Sequence, residues 1–267
     1  MPTNRPSPPV ITLTTDFGTS DHFVGVMKGV ILSICPEARV TDITHDVQPF
    51  QISQGAFLIS QAFPYFPRGT IHVVVVDPGV GTARRPILVE AAGQRFIAPD
   101  NGVLAMVYAD LPHTVREITA EKYFLPSRSS TFHGRDIFAP TAAHLARGAR
   151  PSSVGAKIED HLKIAFYQPQ RSSKRRWTGT ILHVDHFGNI ITNFHVDQFE
   201  GIGTRPFELE AGPRRISRLA LNYSETESGE PFAIVGSSGF IEIAINQGSA
   251  AAFIGCGPGA PVDLSIY

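Results

Sequence analysis

The chain has 267 residues, 42% of them hydrophobic and 18% charged, with a formal net charge of -1, so it can bury a substantial core in one or two domains. The near-neutral balance argues against general binding of nucleic acid. No apolar run reaches the roughly 18 residues a membrane span needs, and the opening MPTNRPSPP is too proline-rich and polar for a signal peptide. A cytoplasmic protein is expected, with residues 1–9 as a disordered tail.

Val10 to Thr15 reads as a buried strand ending in TTDFGTSD, where Asp16 and Gly18 mark a turn and Ser20 is placed to cap a helix. Phe23, Val26, Met27, Val30, Ile31 and Ile34 then recur at helical spacing until Pro36 stops the pattern, and Arg39 to Ile43 forms the next short strand. A second unit repeats this order. Ser53 opens an amphipathic segment through Phe66, and Thr70 to Val76 is a β-branched run without polar alternation, as in a central parallel strand. Strand, helix and strand are expected to alternate to about residue 150, closing with a helix from Asp136 to Arg147.

The polar run QPQRSSKRR, from Gln168, reads as a linker or a solvated hairpin. Beyond Trp177 the pattern changes to short strands such as ILHVD, PFAIVG and GFIEIAI, separated by Gly, Asn and Pro turns with no long helical face. The expected organisation is an N-terminal α/β domain over 10–170 and a smaller C-terminal β domain, a sandwich or barrel, over 171–267.

Asp16, Asp77 and Asp100 each follow an apolar stretch beside Gly or Pro, so one sheet can present all three at its C-terminal edge, where open α/β sheets bind ligands. Any one of them alone is more simply a turn residue. Arg84 and Arg85 read either as a solvated pair or as a guanidinium folded over that edge to hold a carboxylate, a water or a developing anion. His133, in FHGRD, lies at another element boundary. In the second half, DHFGN at Asp185 to Asn189 and the run from Ser237 to Asn246 combine aromatic rings with amide, hydroxyl and carboxylate groups. Such runs suit a flat base or a zwitterionic amino acid, and equally well form hairpin turns.

Several signatures are absent: GxGxxG after the first strand, GxxxxGK[ST], GxSxG and HExxH. Cys35 and Cys256 lack disulfide or zinc spacing, which fits buried thiols in a reducing compartment. Asp42, His45 and Asp46 are a weak metal candidate and a more natural polar loop.

In order along the chain, TTDFGT, THDVQPF, VDPGVGTARR, APDNG, FHGRD, DHFGNIITN and SSGFIEIAINQG resemble the S-adenosyl-L-methionine hydroxide adenosyltransferase family, whose relatives include chlorinases and fluorinases that use the same substrate. The resemblance spans about Ile11 to Ile254. It implies a Rossmann-like α/β/α domain followed by a β-barrel-like domain. It also implies a homotrimer with S-adenosyl-L-methionine (SAM) between one subunit's N-terminal domain and its neighbour's C-terminal domain, and attack of water on the ribose 5′ carbon to give adenosine and L-methionine. No metal or other cofactor is implied.

The family's Asp, Arg and His triad falls on Asp77, Arg84 and His133, and its ribose-binding aspartate on Asp16. Phe50 is then expected near the ribose, and Phe187, Asn189, Tyr223 and Phe194 around the adenine, with Asp185, Ser237, Ser238 and Glu242 at the methionine end. The halogenating relatives are expected to carry an aromatic residue and a threonine where Asp77 and Val80 stand, so like-charge repulsion by Asp77 would disfavour a halide. Alternative readings are a SAM-dependent halogenase, a metal-dependent hydrolase using Asp16, Asp77 and His133, and a non-catalytic adenosine or SAM sensor.

Overall fold

The computed structural model describes residues 7–109, 111–199 and 201–267. Most of the tail expected over residues 1–9 lies outside them, but Pro9 is tied to the fold through its carbonyl, which accepts a hydrogen bond from the Arg39 amide at 2.8 Å. The chain divides into two compact units between Ile164 and Ala165, ahead of the polar run at Gln168. No helix among the described residues is long and apolar enough to cross a membrane.

The first unit is built on seven strands, β1 (Val10–Thr15), β2 (Arg39–Thr44), β3 (Ile71–Val75), β4 (Pro86–Ala91), β5 (Gln94–Pro99), β6 (His113–Glu117) and β7 (Lys157–Ile158), in the order β2-β1-β3-β5-β4-β6-β7. The four strands β2, β1, β3 and β5 run parallel. Alternation along β3 explains the layering. Ile71, Val73 and Val75 face a core shared with helices α1 (Phe23–Ile34) and α4 (Ala139–Ala146), whereas Val74 and Val76 face a second core with α2 (Ile52–Ala62) and α3 (Ala105–Tyr108). A strand buried on both faces reads as a continuous apolar run, which is why IHVVVV carries no polar alternation.

Three expectations are corrected. Strand–helix–strand alternation stops after β3, because β4 and β5 form an antiparallel hairpin whose Ala92 and Gly93 both have positive φ, the conformation of a two-residue hairpin turn. Ser20 does not cap α1, which begins at Phe23 with His22 at the N-cap and no side-chain cap. The segment expected to be a helix from Asp136 begins as a wide π-helical turn, Gly134–Phe138, and only then continues as α4.

The second unit holds nine strands: β8 (Gln170–Arg171), β9 (Arg176–Val184), β10 (Ile190–His195), β11 (Phe207–Ala211), β12 (Arg214–Ile216), β13 (Leu219–Ala220), β14 (Pro231–Val235), β15 (Phe240–Ile245) and β16 (Pro261–Ile266). Their order is β12-β11-β16-β9-β10-β15-β14-β13, with β8 paired to β9. Leu209 of β11, Leu264 of β16, Ile181 of β9, Ile243 of β15 and Ala233 of β14 all share one core. Strands this far apart in a sheet meet in one core only when the sheet curls, so the unit is barrel-like. A short α-helix, α5 (Ala250–Ile254), is set against β15.

Phe96 of β5 is fully buried, stacked on His72 at 4.8 Å between ring centroids and edge-on to Phe63 at 5.4 Å. Phe96→Ala is expected to cost about 3–5 kcal/mol, read as a lower urea midpoint with unchanged m-value.

Candidate active site

Because β1, β3 and β5 are parallel, the residues that follow them leave the sheet at the same edge. Asp16, Asp77 and Asp100 do so, but only two of them face one cavity. Asp16 and Asp77 line a cavity of about 310 Å³ with Phe50, Val80, Phe132 and His133. Asp100 is engaged elsewhere: its Oδ2 accepts from Arg85 Nη2 at 2.9 Å and its Oδ1 from the Leu162 amide at 2.9 Å, while Arg85 Nη1 also donates to Asp160 at 2.9 Å. The two adjacent arginines thus point to different carboxylates, and it is Arg84 that bonds to Asp77 and His133 of the cavity wall.

Arg84 grips Asp77 with two donors, Nε to Oδ1 at 3.0 Å and Nη2 to the other oxygen. Both side chains are nearly inaccessible, at 8% and 5% exposure. The fork geometry of guanidinium on carboxylate gives this pair direction as well as strength. Arg84 Nη2 also donates to His133 Nδ1 at 2.8 Å, and the guanidinium carbon lies 5.4 Å from the Phe138 ring centroid. Arg84 Nη1 is buried without a hydrogen-bond partner among the described residues.

This chain of contacts assigns the histidine tautomer. A guanidinium cannot accept a hydrogen bond, so Nδ1 must be the unprotonated nitrogen and Nε2 carries the proton. Burial lowers the His133 pKa and the charge of Arg84 lowers it further, against the opposing pull of Asp77 and Asp136, which favours the neutral ring. The turn that carries it is pinned by Asp136, fully buried, whose carboxylate accepts from the Ser129 amide at 2.7 Å and from Arg135 Nε at 2.6 Å. Gly81, at φ +78°, lies so close to the Ser130 carbonyl that a Cβ would collide with it. The loop after β3 and the loop before His133 can therefore close on each other only with glycine there.

Asp16 holds a different element. Its Oδ2 accepts from the Phe50 amide at 2.9 Å, and Phe50 adopts φ +70° with 68% of its surface exposed. A left-handed phenylalanine is strained and persists only where surrounding contacts impose it. Burial raises the Asp16 pKa, the Phe50 amide opposes that rise, and nearby Asp77 adds to it. Asp42 and His45, the weak metal candidate, are spent on each other and on Lys28, with Asp42 oxygens 3.0 Å from His45 Nε2 and 2.6 Å from Lys28 Nζ.

The second unit carries its own cavity of about 550 Å³, lined by Asp185, Phe187, Asn189, Tyr223 and Gln247. Asp185 organises the turn between β9 and β10: its Oδ1 accepts from the Phe187 and Asn189 amides at 2.9 and 2.8 Å, and its Oδ2 from the Asn189 side chain at 2.8 Å. This locks the loop while leaving Phe187 75% exposed. Glu242, on β15, is buried beneath Gly236, whose missing Cβ makes room for its carboxylate. Its pKa is pushed up to about 7, first by burial and then by the charge of Asp185.

Not every expected residue reaches this cavity. Phe194 is fully buried in the core, edge-on to Phe199 at 5.4 Å, so it has no surface to offer a base. Ser237 and Ser238 sit in the β14–β15 turn and do not line the cavity. Conversely, Phe23 was assigned to the apolar face of α1 yet lines the first cavity, and Gln247, at φ +56°, lines the second without having been singled out. Phe23 begins its helix and Gln247 follows the last strand of its run; position at an element end was the available signal.

The sequence matches two family models in succession, the SAM hydroxide adenosyltransferase N-terminal domain over residues 11–155 and the corresponding C-terminal domain over residues 179–263. It is similar to the (R)-S-adenosyl-L-methionine hydrolase of Salinispora tropica, 38% identical over 260 residues covering 94% of this chain and 95% of that protein. It is also similar to the fluorinase of Actinopolyspora mzabensis, 31% identical over 92% of this chain and 93% of the relative. A crystal structure of an uncharacterized conserved protein from Thermotoga maritima superposes with a TM-score of 0.86 at 35% identity, covering 96% of this chain and 99% of that one.

Glu242 makes stability depend on pH in a calculable direction. A carboxyl that ordinarily titrates at 4.5 and here at about 7 keeps its proton in the folded protein across a window where the unfolded chain has lost it. Its contribution is therefore fully present below pH 4.5 and lost as pH rises through 7, by about 3 kcal/mol at most. Glu242→Gln is expected to gain about 2–3 kcal/mol on the wild-type protein between pH 5 and pH 8 in urea unfolding; an unchanged difference at the two pH values would contradict the assignment.

Proposed function

The chain belongs to the SAM hydroxide adenosyltransferase family, and on that premise we propose that it hydrolyses SAM by attack of water-derived oxygen on the ribose 5′ carbon, releasing adenosine and L-methionine. The observation that carries this reading is the Asp77–Arg84–His133 chain, buried at the sheet edge beside Asp16.

The leaving group is a neutral thioether departing from a sulfonium, so no general acid is required and the nucleophile is the difficulty. Arg84 Nη1 and His133 Nε2 are both donors, and neither can accept. An oxygen held by them is favoured as hydroxide, its proton passing to solvent, because directed N–H groups in a dry site stabilise developing negative charge before the reaction begins. With Nδ1 occupied by Arg84, His133 has no free nitrogen with which to act as a general base; its role here is donation. Asp77 in turn keeps Arg84 aimed, since its carboxylate fills the other edge of the guanidinium. Holding that oxygen in line behind the 5′ carbon supplies the remaining advantage through orientation.

The expected repulsion of halide by Asp77 needs restating, because Asp77 and Arg84 form a pair of zero net charge. Water chemistry is favoured instead by the directional donors and by Val80, whose methyl groups offer no hydrogen bond to replace the hydration of a halide. In this reading Asp16 binds the ribose hydroxyls and Phe50 covers the sugar. Phe187, Asn189 and Tyr223 receive the adenine, and Asp185, Glu242, Ser237 and Ser238 take the methionine end. The assembly is a homotrimer, with SAM held by the N-terminal domain of one subunit and the C-terminal domain of its neighbour; large exposed rings such as Phe50 and Phe187 are surfaces that such an assembly would cover. SAM is substrate, and the chemistry calls on no cofactor. Both cysteines are free thiols, consistent with action in the reducing cytoplasm.

Two outcomes are expected. Arg84→Ala and His133→Ala each lower turnover by about two powers of ten or more, measured as adenosine release; near wild-type rates for both would sink the triad. In oxygen-18 water the label enters the 5′ hydroxyl of adenosine and stays out of methionine, and added chloride or fluoride yields no 5′-halogenated nucleoside; label in homoserine would mean attack at a different carbon.

A further inference from the structure

A cavity of about 950 Å³ in the second unit lies at the opposite end of β9 from Asp185. Four cations line it, Arg171, Lys174, Arg175 and Arg205, with Trp177 and Phe199 in its wall. The walls are tied together. The Ile266 amide donates to the Arg175 carbonyl at 2.9 Å, and the Tyr267 amide to the Pro206 carbonyl at 2.9 Å, so the end of β16 holds the β8–β9 turn on one side and the Arg205 loop on the other. Arg171 wraps the turn from within, donating Nε to the Ser173 carbonyl at 3.0 Å and Nη2 to the Lys174 carbonyl at 2.8 Å, with its guanidinium 5.5 Å from the Trp177 ring centroid.

Among the side chains of the described residues, the charges of this cluster are unbalanced. Neighbouring Arg176 is neutralised by Glu210 and Asp263, at 2.6 and 2.9 Å, and most other paired arginines follow that pattern, including Arg84, Arg85 and Arg135. Among the described residues no carboxylate forms an ion pair with Arg171, Lys174, Arg175 or Arg205. In a chain of net charge -1 a concave surface carrying four such cations is a local departure, and a concave wall concentrates the field they create.

We propose that this cavity binds a ligand bearing clustered phosphates, a short polyphosphate chain, independently of the SAM site. The guanidinium forks of Arg175 and Arg205 and the ammonium of Lys174, with the charge of Arg171 behind them, suit several tetrahedral anions in series better than a single carboxylate, since arginine matches phosphate oxygens bidentately and lysine adds a mobile point charge. Arg171 already covers one face of Trp177, and Phe199 packs against the same ring in a T-shaped contact at 5.3 Å. Recognition therefore rests on the phosphates rather than on a base.

Trp177 is the only tryptophan in the chain, so its fluorescence reports on this cavity alone. Titrating the full-length protein with inorganic tripolyphosphate at about 0.15 M ionic strength, with calorimetry in parallel, is expected to give saturable binding. The Lys174→Ala/Arg175→Ala double variant and Arg205→Ala should each weaken it about tenfold or more while leaving SAM turnover without phosphate unchanged. A nucleoside triphosphate should bind as tripolyphosphate does, and a single-stranded oligonucleotide should not bind more tightly. Absence of saturable heat and fluorescence change, unchanged affinity in both variants, or binding confined to the oligonucleotide would each overturn the proposal.

Discussion

The first unit is organised around the bidentate pair between Arg84 and Asp77. Removing both groups from water is costly, and a buried ion pair of this kind rarely stabilises a fold more than an apolar pair of the same size would. What the pair does provide is orientation. Arg84 has two jobs at one atom, since Nη2 serves both Asp77 and His133. The carboxylate therefore decides where the guanidinium lies, the guanidinium decides which nitrogen of His133 is protonated, and the tautomer leaves Nε2 as the donor.

The fold meets that requirement through strand direction and close loop contact. Parallel β1 and β3 bring Asp16 and Asp77 to a common edge, and the buried Asp136 anchors the turn that delivers His133. Gly81 allows the two loops to touch. Asp16, in turn, holds Phe50 in a left-handed backbone. The strained Phe50 and the desolvated Asp77–Arg84 pair thus belong to one site, while the α1/α4 and α2/α3 cores on either side of the sheet consist mainly of interlocked aliphatic side chains.

Much of this was legible in the sequence where one local pattern had one physical meaning. The β3 segment was readable because a parallel strand buried on both faces carries a β-branched run without polar alternation, and the carboxylate that follows it came with that reading. The choice between Arg84 and Arg85 came from the family resemblance and not from local pattern: adjacent residues in an irregular loop go to whichever carboxylate tertiary structure brings near, and Asp100 and Asp160 both engage Arg85. Ala92 concealed a hairpin because alanine seldom adopts positive φ. Phe194 entered the expected adenine set through the family resemblance alone; β10 is buried along almost its whole length, so alternation gives no separate indication of which of its rings lie in the core.

The central claim is that Arg84 fixes His133 as a neutral ring protonated on Nε2. Nitrogen-15 spectra of histidine-labelled protein, with the His133 resonance assigned by its absence in His133→Gln, test it directly. At pH 7.5 the account predicts a neutral imidazole with the proton on Nε2, and redistribution of that proton in Arg84→Ala. An imidazolium, or a proton resident on Nδ1 in the wild-type protein, would contradict it.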